Sequence, residues 1–259
     1  MRIIIHGFYG RMGQEVRRIA EATGQAEVVG GVDCRDAGTA GLAADPRCRR
    51  TLNEFAGEAD CIVDFSQAGA TEKLLAYARE KRLPVVLATT GHTEKQKREI
   101  EAAGREIPIF YAANCSVGIA WLMQATVAAA AVFPEADIEI VEEHHSQKAD
   151  APSGTALSLA EAIRQVRPGA EFRIGRCGTG ARSRQEIGIH SVRLGQSVGT
   201  HEIRIGTPGQ RLVLRHEALD RTLYAQGALR AARFLLEQKP GVYGMKDLLD
   251  KERAETKNL

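Results

Sequence analysis

Residues 142–157 read EEHHSQKADAPSGTAL, a run holding His144, His145 and Lys148 directly before Ser153, Gly154 and Thr155. An imidazole titrates near neutral pH and can give or take a proton. Lys148 is a cation able to hold a carboxylate and to support that transfer. A helix opening at Pro152-Ser153-Gly154-Thr155 would offer its leading N–H groups, with the Thr155 hydroxyl, as a second anion site. Two anion sites and a proton donor within a few residues fit a small substrate with two carboxylates. The alternative for His145 is a solvated loop histidine. Ser153 reads as the helix N-cap rather than a nucleophile. Glu142 and Glu143 read as solvated or strand-pairing acids without a catalytic part. If the strand before them persists, His144 and His145 point to opposite faces, and no third ligand stands at zinc spacing. No metal site is expected.

A second cluster lies near the start, GFYGRMG, with Gly7, Gly10 and Gly13. Such a loop between a strand and a helix lets backbone N–H groups approach a pyrophosphate, with the helix N-terminus aimed at it. The spacing departs from G-x-G-x-x-G, because Tyr9 stands where the middle glycine would be. A second strand ends at Asp33, where an acid can accept hydrogen bonds from an adenosine ribose. Asp33 favours NADH over NADPH, whereas Arg11 and Arg35 would attract a 2′-phosphate or are simply surface charges, so both cofactors stay open. ATTG (Ala88, Thr89, Thr90, Gly91) and AANCS (Ala112, Ala113, Asn114, Cys115, Ser116) follow later strands. Their small residues allow close approach of a nicotinamide, and Thr or Asn can bond its carboxamide. Ordinary turn chemistry is the competing reading.

The elements that must hold these groups show in the alternation of short β-rich runs (RIIIH, EVVGGVD, CIVDF, PVVLAT, IPIFYAA) with amphipathic helical stretches. That pattern predicts a parallel sheet covered on both faces. Residues 35–51 fit neither pattern. After Asn114 come a long apolar helix from about Val117 to Phe133, the strand DIEIVEEHH, and a helix from about Ser153 to Val166. Three partly alternating runs follow (EIGIHSVRL, THEIRIG, RLVLRHEAL), predicting an antiparallel or mixed sheet with one open face, and TLYAQGALRAARFLLEQ returns to helix. The expected class is α/β, a dinucleotide-binding unit plus an α+β unit, with a site in the cleft between them.

Composition agrees with a globular protein: 259 residues, 44% hydrophobic and 26% charged. A net charge of +2 makes no electrostatic case for nucleic acid or a membrane surface. The apolar run in MRIIIHG is too short for a signal peptide, and IAWLMQATVAAAAVF falls short of the roughly 20 residues that span a bilayer. Five scattered cysteines without a C-x-x-C pair fit reduced thiols in a cytoplasm.

The block E-E-H-H-S-Q-K-A-D-A-P-S-G-T-A strongly resembles the signature of the 4-hydroxy-tetrahydrodipicolinate reductase (dihydrodipicolinate reductase) family. The likeness runs nearly end to end, through GFYGRMGQ, VDFS, ATTG, AANCSVG, SVRLGQSVGTHEI and the tail from RLVLRHEALDR to GMKDLLD. It implies a Rossmann-like domain at 1–115 completed by 222–259, a substrate-binding and oligomerisation domain at 116–221 with an open mixed sheet, and a homotetramer. It implies His144 as proton donor or acceptor, and Lys148 as its partner in protonation and substrate binding. His145, Gly154 and Thr155 would contact substrate carboxylates. Gly7, Phe8, Tyr9, Gly10, Arg11, Met12, Asp33, Ala88, Thr89, Thr90, Ala112, Ala113, Asn114 and Cys115 would contact NADH or NADPH. Ala88 and Cys115 depart from the glycine and phenylalanine frequent in the family, so affinity rather than chemistry would change. The implied reaction is NAD(P)H-dependent reduction of a cyclic conjugated imine in diaminopimelate and lysine biosynthesis. A different Rossmann reductase of a small dicarboxylic acid, or a non-catalytic dinucleotide sensor, would keep the glycine loop without needing HHxxK joined to PSGTA. Arg221 stays open between a carboxylate contact and a surface charge.

Overall fold

A computed structural model describes residues 1–256 and divides into two compact units, Met1–Val117 with the segment from Arg221 onward, and Gly118–Asp220. The first unit begins β1 (Arg2–His6), α1 (Arg11–Thr23), β2 (Glu27–Val32), β3 (Cys48–Arg49) and β4 (Cys61–Asp64). It continues α2 (Thr71–Lys81), β5 (Val85–Leu87), α3 (Glu94–Gly104) and β6 (Pro108–Tyr111). The second unit carries α4 (Val117–Val132), β7 (Asp137–His144), α5 (Gly154–Val166), β8 (Glu171–Ile174), β9 (Glu186–Arg193), β10 (Gly199–Thr207) and β11 (Gln210–Ala218). The chain then returns to the first with α6 (Thr222–Leu235), β12 (Gly241–Tyr243) and α7 (Met245–Thr256).

The first unit is Rossmann-like. Its strands pair in parallel in the order β12-β6-β5-β4-β1-β2-β3. Ile3, Ile4 and Ile5 of β1 are wholly buried, because a strand covered on both faces needs an unbroken apolar run. From β1 the sheet grows one way through β2 and the other through β4, so the loop after β1 lies at a topological switch point, where such sheets bind ligands. Val16, Ile19 and Ala20 line the buried stripe of α1 at helical spacing. Thr93 starts α3 with a capping box shared with Gln96. Along α6, Ala225, Ala228, Leu229, Ala232 and Leu235 join the core that also holds Phe8 and Phe110.

The second unit has one mixed sheet in the order β11-β10-β7-β9-β8, with β7–β9 and β8–β9 parallel and the other pairs antiparallel. Ile138 and Ile140, Ile187 and Ile189, and Ile203 and Ile205 form its inner face, against Ile119 and Leu122 of α4 and Leu159 and Ile163 of α5. The period-2 alternation puts Arg204, Val192 and Val213 on the other face. Val192 and Val213 are exposed there.

Three short strands escape the sequence pattern: β3, inside the irregular stretch 35–51, and β8 and β12. Each has four residues or fewer, lies at the edge of its sheet and has no buried residue, so it lacks the buried apolar run that marks the equally short β4, β5 and β6.

Candidate functional site

On the inner face of β7 the alternation Ile138, Ile140 continues as Glu142, His144. The same change from apolar to polar occurs beside it. On β9, Ile187 and Ile189 give way to Ser191 and Arg193; on β10, Ile205 and Ile203 give way to His201. The register sets Glu142 opposite both His201 and Ser191, and His144 opposite Arg193. The polar site is therefore one end of the unit's own core face.

Glu142 is a correction to the sequence reading. It is neither solvated nor merely pairing strands, but fully buried. Its carboxylate accepts from His144 Nδ1 at 2.6 Å, from Arg193 Nη1 and Nη2 at 2.9 Å each, and from the Ser153 amide at 3.1 Å. Burial pushes this carboxyl up, but hydrogen bonds from Arg193, Ser191, His144 and Ser153 outweigh it and bring it to about 2. Burial holds His144 below the ordinary imidazole value, with Glu142 opposing the shift and Lys148 and Arg193 adding to it. Burial brings His201 down to about 4.

Ser153 is the N-cap of α5, its hydroxyl accepting from the Ala156 amide at 3.2 Å and bonding His201 Nε2 at 3.1 Å. Gly154 follows with open space where a Cβ would stand, and Thr155 is half-buried. Lys148 Nζ donates to Asp150 Oδ1 at 2.8 Å. His145 lies just past β7 and is held by its backbone, the amide donating to Ser197 O at 2.8 Å. This unit thus gathers Glu142, His144, Arg193, Ser153 and His201 into one bonded cluster. Sequence reading missed Glu142, Arg193 and His201; the usable signal was the even spacing 138, 140, 142, 144.

In the first unit, Gly7 has φ +86° and a Cβ there would come within 2.7 Å of Phe65 O, while one on Gly13 would come within 2.2 Å of Gly7 O. Only glycine closes this turn. The helix it opens, α1, has no side-chain cap and no acid in its first turn, which suits its N-terminus to an anion. The Tyr9 amide donates to Asp33 Oδ2 at 2.9 Å, and the Arg35 amide and guanidinium also donate to Asp33. Burial pushes Asp33 up, but these bonds outweigh it and hold the carboxyl below its ordinary value. Asp33 therefore braces the glycine loop in addition to any contact with a ribose.

A cavity of about 310 Å³ collects Met12, Ala88, Ala113, Asn114 and Cys115 of the expected set, joined by Phe65, Arg221 and Tyr224. Arg221 thus belongs to the rim of this cavity in the first unit. Two side chains of the expected set are engaged within the protein. The Thr89 hydroxyl donates to buried Asp64 at 2.6 Å, and the Phe8 ring is wholly buried in the core. Both residues would meet a ligand through backbone. Thr90 and Ala112 flank the cavity in sequence, Thr90 exposed and Ala112 half-buried. Burial pushes the Cys115 thiol up to about 12, so it carries no thiolate chemistry. The glycine turn, the uncapped helix and the small-residue cavity fit a dinucleotide.

Residues 1–115 match the family model described as dihydrodipicolinate reductase, N-terminus, and residues 118–249 the one described as dihydrodipicolinate reductase, C-terminus. The 4-hydroxy-tetrahydrodipicolinate reductase of Caldanaerobacter subterraneus subsp. tengcongensis is 44% identical over 253 residues, covering 97% of this chain and 99% of that one. The enzyme of the same name from Alkaliphilus oremlandii is 37% identical over 252 residues, covering 96% and 99%. Among solved structures, dipicolinate-bound dihydrodipicolinate reductase from Paenisporosarcina sp. TG-14 is similar with a TM-score of 0.82 at 29% identity, covering 95% of this chain and 98% of that one.

Proposed function

The chain belongs to the dihydrodipicolinate reductase family, and from that premise we propose that it reduces 4-hydroxy-tetrahydrodipicolinate, by way of dihydrodipicolinate, to tetrahydrodipicolinate in diaminopimelate and lysine biosynthesis. The observation that carries the reading is the cluster that seats His144, on a buried carboxylate shared with the first amide of the α5 cap, within electrostatic reach of Lys148.

In this reading Gly7, Gly10 and the first turn of α1 hold the pyrophosphate of a pyridine nucleotide, Asp33 its ribose, and the cavity beside Ala88 and Asn114 its nicotinamide. Bound there, the reduced nicotinamide supplies hydride to the ring carbon conjugated with the substrate imine. Lys148, His145 and the amides of Gly154 and Thr155 hold the two carboxylates and fix the ring. His144 and Lys148 deliver the proton that quenches the charge arriving at the nitrogen side. Acid catalysis of this kind contributes about 10²- to 10⁴-fold.

Arg35 neutralises Asp33 and is itself 46% exposed, which supports use of both NADH and NADPH. The open face of the second unit's sheet, with Val192 and Val213 exposed, supports self-association to a homotetramer; light scattering that gave the 28.1 kDa of one chain would count against it. No helix of the described residues is long and apolar enough to cross a membrane, and a cytoplasmic place belongs to the proposal, to be checked by cell fractionation.

The test is absorbance loss of NADH and NADPH when the purified protein meets the condensation product of pyruvate and aspartate semialdehyde, made in place by a coupling enzyme. Turnover should vanish when that enzyme is left out, and the two rates should be comparable. Tight NADH binding without turnover of either cofactor would sink the reductase reading.

A further inference from the structure

Glu142 reaches no substrate atom in this scheme, yet it is a fully buried charge. Neutralising it would take only Arg193. Instead its two oxygens also receive the imidazole that moves the proton and the amide that opens the carboxylate-binding helix. Arg193 extends the link by donating to Asp150 O, in the segment that carries Lys148 to α5. We infer that Glu142 is a positioning residue for the proton transfer: its carboxylate fixes His144 as the Nδ1–H tautomer and ties that ring to the first turn of α5. The inference rests on the reading of His144 as the proton-transfer residue.

An ionised carboxylate only accepts, so the 2.6 Å contact requires the proton on Nδ1. That leaves Nε2 as the ring nitrogen that exchanges a proton with substrate. His201 and Gly199 pack closely around the ring. The His201 ring stands edge-on to it, at 5.3 Å and 77°, and a Cβ on Gly199 would come within 2.9 Å of Nε2. The charged and titratable groups facing His144 are Glu142 on its own strand, Arg193 on β9, His201 on β10 and Lys148 in the following loop. Of these, Glu142 favours the imidazolium, whereas Lys148 and Arg193 disfavour it.

Glu142→Gln keeps the shape and removes that support. Both carboxylate oxygens face N–H donors, so the amide must turn an NH2 toward one of them. The imidazole of the variant becomes less basic and loses its fixed tautomer. For a proton donor the rate falls as pH rises through its pKa, so a lower pKa moves that alkaline limb to lower pH.

The experiment is ¹⁵N NMR of the imidazoles in the full-length wild-type protein and in Glu142→Gln, with kcat and KM measured across pH and dipicolinate as the binding probe. Expected are a wild-type His144 protonated at Nδ1, loss of that tautomer in the variant, and a kcat about 100-fold lower. The fall in kcat should exceed the change in KM or in dipicolinate affinity, and the alkaline limb should shift downward. A wild-type His144 protonated at Nε2 alone would overturn the proposal, and this holds even if the variant does not fold. So would a folded variant with unchanged tautomer and limb. His144→Gln separates the two levels: wild-type turnover there would sink the role of His144 itself, a failure distinct from an unaltered tautomer in Glu142→Gln.

Discussion

Lys148 carries two duties in the proposed chemistry, and different side chains separate them. As a cation it holds a carboxylate; as an ammonium it can also release a proton, which an arginine at ordinary pH does not. Lys148→Ala should therefore raise KM and lower kcat, the latter by about 100-fold. Lys148→Arg should restore much of KM while leaving kcat low. Steady-state kinetics of both variants decide this, and an arginine variant with wild-type kcat would remove Lys148 from the proton path. Its pairing with Asp150, which is 61% exposed, contributes little to stability, so neither change should unfold the protein. At this scale the sequence was readable where the signal is contiguous, as in the Ser153 cap of the helix that starts at Gly154. Glu142 was not, because its burial depends on Arg193, 51 residues away, and on the amide that α5 lowers onto it. The Thr89 bond was hidden for the same reason: nothing near it in the chain says that its hydroxyl faces Asp64, 25 residues earlier.

Helix α6 shows how an element far along the chain shapes a cavity begun by the first strands. Its residue Gly227 passes so close to the loop after β6 that a Cβ would stand 1.8 Å from Cys115 O, and Arg221 and Tyr224 at its start line the cavity with Asn114 and Cys115. Gly227→Ala must push the helix and the loop apart, an overpacking cost of about 1–3 kcal/mol. The expected result is a lower Tm together with a raised KM for NADH; a lower Tm with unchanged NADH binding would show that the loop does not need the helix. The long elements were legible because their apolar periods are long, as the buried Ile3 to Ile5 and the stripe of α1 show. The parallel seat of β12 on β6 was not, since this edge strand has no buried residue and is defined by its partner rather than by its own pattern.

Across the whole molecule, the histidines that burial holds below their ordinary value are unevenly shared: His144, His201 and His216 lie in the second unit and His92 in the first. Such a group is neutral when folded and takes up a proton when unfolded. The unfolded state then binds more protons as pH falls below about 6.5, and stability is lost progressively down to the folded pKa. For His201, faced by His144, Glu142, His216 and Lys148 and brought to about 4, the loss between pH 7 and pH 5 is roughly 2 kcal/mol. Glu142, at about 2, stays ionised over that window and adds nothing to it. The second unit should therefore weaken first on mild acidification, and the chain reports on it selectively, because its one tryptophan, Trp121, lies in α4 of that unit. Urea unfolding followed by Trp121 fluorescence should show a midpoint that falls from pH 7 to pH 5. In His201→Gln, whatever its stability at pH 7, that fall should shrink. Were the fall as large without His201, its burial as a neutral ring would not be what makes the unit sensitive to acid.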